Sequence, residues 1–209
     1  MSAPAGHVAG IVLAAGEARR YGSQKLLAPL AGRPLLQHAV DAACASSLDP
    51  IVIVLGADAD EIARRIDPGR ARVVRNAEYA TGQASSLRAG VRAIASRPGA
   101  TSATASDVDA AIVLLGDQPL LTAALFAAIV ARQRETGAAA VMCAKDGRRS
   151  PPTLLHRDLF GAIESLRGDV GAREVLARRS DVATLDVDGA LARLDDIDTP
   201  ADLDRLIPP

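Results

Sequence analysis

The chain has 209 residues, a formal net charge of −1, and a composition that is 49% apolar but only 2% aromatic, with two Phe, two Tyr and no Trp. A charge near zero argues against general nucleic-acid binding, and so few aromatic rings leave no base-stacking platform. The length suits one α/β domain over residues 1–209, although it would also admit two small ones. Ala, Val, Leu and Ile must build the core, as is usual where helices pack on a largely parallel sheet. The apolar runs are too short to span a bilayer, and no basic start precedes a long apolar stretch, so neither a membrane protein nor a signal peptide is expected. Cys44 and Cys143 lie far apart in apolar contexts without metal spacing. Buried thiols, and with them a reducing, cytoplasmic compartment, are the expectation.

In chain order, the first strand is expected around Ile11-Val12-Leu13, stopping at Ala14-Ala15-Gly16. Arg19, Arg20, Gly22 and Lys25 follow before apolar residues resume at Leu26. Pro34 then opens a helix whose apolar positions run over residues 35–43. Residues 51–55 form an unbroken β-branched and Leu run, expected to be a buried parallel strand. A short helix over 59–66 closes at Asp67-Pro68-Gly69, and Val73-Val74 makes a third strand. Residues 85–94 have helical periodicity, entered through Thr81-Gly82. The Ala-, Ser- and Thr-rich stretch 96–109 is expected to be a surface loop. Residues 110–115 are a further apolar strand, and Thr122 caps a helix over 122–133. Strands at 138–143 and 153–155 flank a polar turn at 145–150; helices at 159–166 and 172–178, a strand at 182–187 and a helix at 199–206 complete the chain. The alternation of strand and helix predicts a doubly wound, mostly parallel sheet, which binds ligands beyond the carboxyl ends of its strands. Three chemically interesting segments fall there: 13–25, 81–88 and 116–119.

A strand feeding a loop of small residues lets backbone approach a ligand, and cations at the end of the loop suit a polyphosphate. Basic residues that merely face water fit the same composition. The loop is not a Walker loop, because Gly22-Ser23-Gln24 precedes Lys25, and Gly16 and Gly22 lack the dinucleotide spacing. Asp117 directly follows a strand, where a carboxylate near a triphosphate suits Mg²⁺; Gly116-Asp117-Gln118-Pro119 is also good turn chemistry. Asp195, Asp196 and Asp198 offer further carboxylates before the last helix, where Asp198 or Thr199 equally serves as a cap with Pro200 in the first turn. Ser85 or Thr81 fits an ordinary helix cap. The three histidines form no metal-spaced pair, and no G-x-S-x-G elbow is present.

Leu13-Ala14-Ala15-Gly16, Arg19, Gly22 and Lys25 resemble the L-A-x-G-x-x-x-R-x-G-x-x-K signature of sugar-nucleotide-type nucleotidyltransferases. Within that group the chain looks most like the MobA-like branch, which attaches CMP or GMP to molybdopterin cofactors. The resemblance implies a three-layer Rossmann-like fold of the nucleotide-diphospho-sugar transferase type. It implies a loop of Leu13, Ala14, Ala15 and Gly16 wrapped around the nucleotide, with Arg19 and Lys25 on the triphosphate. Gly116 to Pro119 matches the family's G-D-x-P, which makes Asp117 catalytic through Mg²⁺, and Ile197-Asp198-Thr199-Pro200 matches I-[DN]-T-P, which makes Asp198 a second metal ligand. Residues 76–87 are similar to N-P-x-W-x-x-G-x-x-x-S-L, which assigns Gly82, Ser85 and Ser86 to the base, with Ala77 and Tyr79 departing from the pattern. Gly168-Asp169-Val170-Gly171-Ala172-Arg173 resembles the cytidylyltransferase branch's G-D-x-G-A-R and is expected either to meet a pterin-side phosphate or to be a plain helix-opening turn. L-A-A-G goes with CTP and L-A-G-G with GTP, so Ala15 points to CTP. The implied partners are CTP (or GTP), the molybdopterin cofactor, and a molybdoenzyme or its chaperone. Other phosphate-bearing acceptors, and a maturation protein that binds without turnover, remain as alternatives.

Overall fold

The computed structural model describes residues 7–16, 21, 24–96 and 108–206. Its centre is a strand, β1 (His7–Ala14), flanked on both sides by parallel neighbours: β4 (Ile51–Leu55) and β6 (Val108–Leu115). All five residues of β4 are buried, which is why this strand reads as a continuous apolar run rather than an alternation. The sheet extends outward to β5 (Arg72–Arg75) on one side, and through β8 (Arg148–His156) and β7 (Ala140–Lys145) to β9 (Val182–Asp186) on the other. Its order is β5-β4-β1-β6-β8-β7-β9, with β8 alone antiparallel to its neighbours. A separate two-residue pair, β2 (Pro29–Leu30) with β3 (Arg33–Pro34), is not foreshadowed by the sequence pattern because two residues show no periodicity.

Helices cover both faces. On one lie α1 (Leu35–Cys44), α2 (Ala59–Arg65) and α4 (Ala123–Thr136); on the other α3 (Gln83–Ala95), α5 (Phe160–Glu164) and α6 (Ala172–Leu176). Alternate residues of β1 serve the two layers: Val12 and Ala14 pack toward α1 and α4, Ala9 and Ile11 toward α3. Phe126 is buried among Ile and Leu, so the core is aliphatic as composition requires. The last helix, α7 (Pro200–Asp204), packs Leu203 with Ile197 and Leu35 in a small third cluster. This is a three-layer, mostly parallel α/β fold, the architecture that the resemblance implied.

Several expectations are corrected. The polar turn assigned to 145–150 shrinks to Asp146-Gly147, both at positive φ (51° and 74°), so the flanking strands run nearly to the tip. Two left-handed residues make the tight hairpin turn that matches strand twist. Ser150, Pro151 and Pro152 therefore lie within β8: Ser150 pairs with Cys143, and Pro151 and Pro152 are the unpaired residues at the register shift between Met142 and Cys143. Of the surface loop assigned to 96–109, Ser96 ends α3, Val108 and Asp109 belong to β6, and residues 97–107 lie outside the described residues. Cys143 is buried as expected, whereas Cys44, at the end of α1, is only half-buried.

Candidate active site

Parallel pairing levels the strand ends. Leu13 of β1 is in register with Val54 of β4 and with Leu115 of β6, so the segments that follow these strands emerge along one edge. The loop after β1 is pinned from both sides: Gly116 N donates to Leu13 O (2.9 Å) and Ala57 N to Ala15 O (3.3 Å). The close fit explains Gly56, where a Cβ would stand 2.7 Å from Ala15 O and 2.5 Å from Tyr79 Cβ. Beyond this edge opens a cleft of about 890 Å³, within the range that engulfs a ligand of nucleotide size.

At one end of the cleft, a 3₁₀ turn over Lys25–Leu27 holds the lysine, capped by Gln24, whose side chain accepts from Leu26 N and donates to Asp58 (2.8 Å). Leu26 anchors the turn in the core. The Lys25 ammonium lies 2.8 Å from Asp117 Oδ2 and 3.2 Å from Asp198 Oδ1. Burial alone would lower the Lys25 pKa, and it is the largest single influence. The charges and hydrogen bonds of Asp117 and Asp198 together outweigh it and hold the ammonium above its ordinary value. Thr199 takes the capping duty at α7: it accepts from Asp202 N, and Asp202 accepts from Thr199 N (2.8 Å), which leaves the Asp198 carboxylate to face Lys25.

Among the described residues no group of three or more His, Cys, Asp or Glu converges as a self-sufficient metal site. The donor set nevertheless fits a hard divalent ion, which binds through one or two carboxylates plus substrate phosphates. Asp117 Oδ1 is buried and has no hydrogen-bond partner among the described residues, while Oδ2 faces the same cation as Asp198. Asp196 is a carboxyl that sequence reasoning left aside. Burial, then the charge of Asp117, push it up to about 6, with Asp198 adding to the rise and Gln118 and Lys25 opposing it. Its signal was the run Asp195-Asp196-Ile197-Asp198, in which spacing cannot say which acid turns inward.

The other end of the cleft meets the N-terminus of α3. Gly82 has φ of 111° and its missing Cβ makes room for the 168–169 turn, which a side chain would approach to 2.3 Å at Gly168. That turn takes the helix's first amides: Ala84 N donates to Gly168 O (3.1 Å) and Gln83 N to Asp169 Oδ1 (3.4 Å). Neither Ser85 nor Thr81 is the cap.

Of the residues singled out by sequence, Leu13, Ala14, Ala15, Gly16, Lys25, Gly82, Ser86, Asp117 and Asp198 all line this one cleft. Ser85 does not. It is buried, donating to Glu78 O and Gly82 O and accepting from Asn76 Nδ2, because on a helix its neighbour Ser86 takes the cleft-facing position. Arg19 and Gly22 lie outside the described residues. Asp169 lines the cleft and Arg173 does not, so the 168–173 segment presents an acid there rather than a phosphate-binding cation. Tyr79 is a further lining residue.

A profile of the MobA-like NTP transferase domain matches residues 10–183. The chain belongs to this family. It is 30% identical over 211 residues to the purine catabolism protein PucB of Bacillus subtilis, covering 96% of each chain. It is 29% identical over 207 residues to the nicotine blue oxidoreductase of Paenarthrobacter nicotinovorans, again with 96% of each chain covered. Among solved structures it is similar to Rv0371c of Mycobacterium tuberculosis in complex with manganese, with 24% identity, a TM-score of 0.72, and 96% and 97% of the two chains covered. The transferase is an enzyme of the nucleotidyltransferase class. No helix among its described residues is long and apolar enough to cross a membrane.

Proposed function

We propose that the protein transfers CMP from CTP to a molybdopterin-type cofactor with release of pyrophosphate and dependence on Mg²⁺. The observation that carries the reading is Lys25 held between Asp117 and Asp198 at the mouth of a cleft bordered by the Leu13–Gly16 backbone. A cation and two carboxylates, which are hard oxygen donors, beside the loop after the first strand suit a triphosphate and its metal ion. Asp117 and Asp198, with phosphate oxygens, would hold Mg²⁺, which neutralises charge on the departing pyrophosphate.

The terminal phosphate of the acceptor attacks the α-phosphorus; the new P–O bond forms as the bond to pyrophosphate breaks. A phosphate nucleophile is already anionic, so no side chain has to remove a proton. Lys25, released from the acids by the incoming triphosphate, compensates charge on its oxygens, and Arg19 from the same loop is proposed to join it. Leu13, Ala14, Ala15 and Gly16 offer backbone to the nucleotide, Gly82 and Ser86 border the base, and Ala15 favours cytosine by its family match.

Asp169 supports a second reading. A carboxylate at the base end can accept from the adjacent N–H groups of guanine as well as from the amino group of cytosine. A relative named as an oxidoreductase does not extend this to hydride transfer, because the dinucleotide spacing is missing around Gly16 and Gly22. The test is incubation with molybdopterin and each labelled nucleoside triphosphate in turn, read as pyrophosphate release and nucleotide incorporation. CMP incorporation is expected. GMP incorporation alone would replace the base assignment, and binding without pyrophosphate release would replace transfer with a maturation role.

A further inference from the structure

The acids facing Lys25 come from distant parts of the chain. Asp117 leaves the end of β6, whereas Asp198 arrives on a strap, residues 187–199, that lies beyond the family match ending at 183. The strap runs against the 117–122 loop through a row of hydrogen bonds. Thr122 Oγ1 donates to Leu191 O (2.9 Å), Arg193 N to Leu120 O (3.4 Å), and Ile197 N to Asp117 O (3.1 Å). Between these contacts sits Gln118, 0% exposed, whose Nε2 donates both to Leu194 O (3.1 Å) and to Pro151 O at the register shift within β8 (3.2 Å). One amide thus joins three segments: the residue after Asp117, the strap, and the strand beside β6.

The same side chain carries, with Asp117 Oδ1 next to it in sequence, one of two buried polar atoms left unmet among the described residues. Gln118 Oε1 is buried with no hydrogen-bond partner among the described residues. A buried polar atom left unmet works against stability, and such exceptions gather where geometry serves function. An apolar residue of the same length would remove that defect, but it would leave the Leu194 and Pro151 carbonyls unmet and the strap free to shift. Leu194 is only four residues from Asp198 on a strap with no strand pairing of its own, so a small displacement there reaches the carboxylate. Misplacement by about 1 Å can cost a reaction around 100-fold.

We propose that Gln118 is a positioning residue: by clamping the strap at Leu194 against Pro151 within β8 it sets Asp198 opposite Asp117. This rests on the reading of Asp117 and Asp198 as the metal-binding pair. Gln118 also hydrogen-bonds the Asp196 carboxyl, but its proposed route to the metal pair is through Asp198.

A double-substitution cycle tests this. Gln118→Met and Asp198→Asn are made singly and together, and Mn²⁺ is titrated into the nucleotide-free protein, with binding read from loss of the free-ion paramagnetic signal. Pyrophosphate release at saturating Mn²⁺ and CTP gives the same cycle where binding in the double variant is too weak to read. Melting curves confirm that each variant is folded at the assay temperature. Gln118→Met is expected to weaken Mn²⁺ binding about 10- to 100-fold, as loss of a ligand-orienting partner does. With Asp198→Asn already present, the same substitution is expected to change binding by less than about twofold, because its route is gone. An equal loss in both backgrounds overturns the proposal and leaves the metal pair standing. A silent Asp198→Asn overturns the pair itself, and the proposal with it. Should Gln118→Met not fold, Gln118→Asn, which keeps the amide but shortens its reach, takes its place in the cycle, and the same two results overturn the same two assignments.

Discussion

At one end of the cleft Lys25 is held between Asp117 and Asp198; at the other, the first amides of α3 meet the 168–169 turn beside Gly82 and Ser86. The first end is built from charged side chains and the second chiefly from backbone. The two should therefore fail differently. Losing a charge should harm the transfer step while leaving the fold intact. Distorting the backbone should loosen the fold and nucleotide affinity together, with less effect on turnover once the nucleotide is bound.

The largest expected effect is at the charged end. Asp117→Asn should lower pyrophosphate release about 100- to 1000-fold with little change in melting temperature, the scale for removing one charge-stabilising group. Full turnover with Mg²⁺ in that variant would end its assignment as a metal ligand. Next comes Lys25→Met, which separates two roles of one side chain. Turnover should fall by about 100-fold as the triphosphate loses its cation. Mn²⁺ binding to the nucleotide-free protein should tighten, by about tenfold, because the ammonium no longer competes for the same two acids. If Mn²⁺ binds more weakly instead, the ammonium is holding the acids in place rather than competing with the ion.

At the backbone end, Gly82→Ala places a Cβ at φ of 111° and against Gly168, so about 1–3 kcal/mol of stability should be lost. The same variant should raise the nucleotide KM more than it lowers kcat; a kcat loss as deep as that of Asp117→Asn would erase the contrast between the two ends.

The smallest effect is a control away from both. Burial pushes the Cys143 thiol up to about 12, while Cys44 is half-buried at the end of α1. At pH 8 a thiol reagent should label Cys44 in the native protein and Cys143 only after unfolding. An unfolded Cys143 ionises near its ordinary value of 9.0, whereas the native one does not until about 12. Its contribution to stability is thus fully present below pH 9 and is lost as pH rises through that interval.

The contrast also explains what could be read in advance. Leu13-Ala14-Ala15-Gly16, Lys25 and Asp117 were legible because the charged end uses distinctive residue types placed just after apolar strands. Gly56 and Asp169 were not. Their roles depend on which segment passes nearby, and nothing local in 168–173 says that its acid faces the cleft while Arg173 does not. Ser85 and Ser86 are adjacent, chemically identical and both buried, so only the helix's rotation decides that Ser86 and not Ser85 lines the cleft.

The amino-acid order by itself determined the layered α/β architecture and the edge at which a ligand would be met. Continuous apolar runs can be satisfied only as strands covered on both faces, and strand-end loops then share one side. Folding in three dimensions decided which acids meet Lys25, where the 145–150 turn closes, and how Gln118 joins three segments. These depend on strand register and on the path of residues 187–199, and contacts between segments so far apart leave no periodic trace in either one.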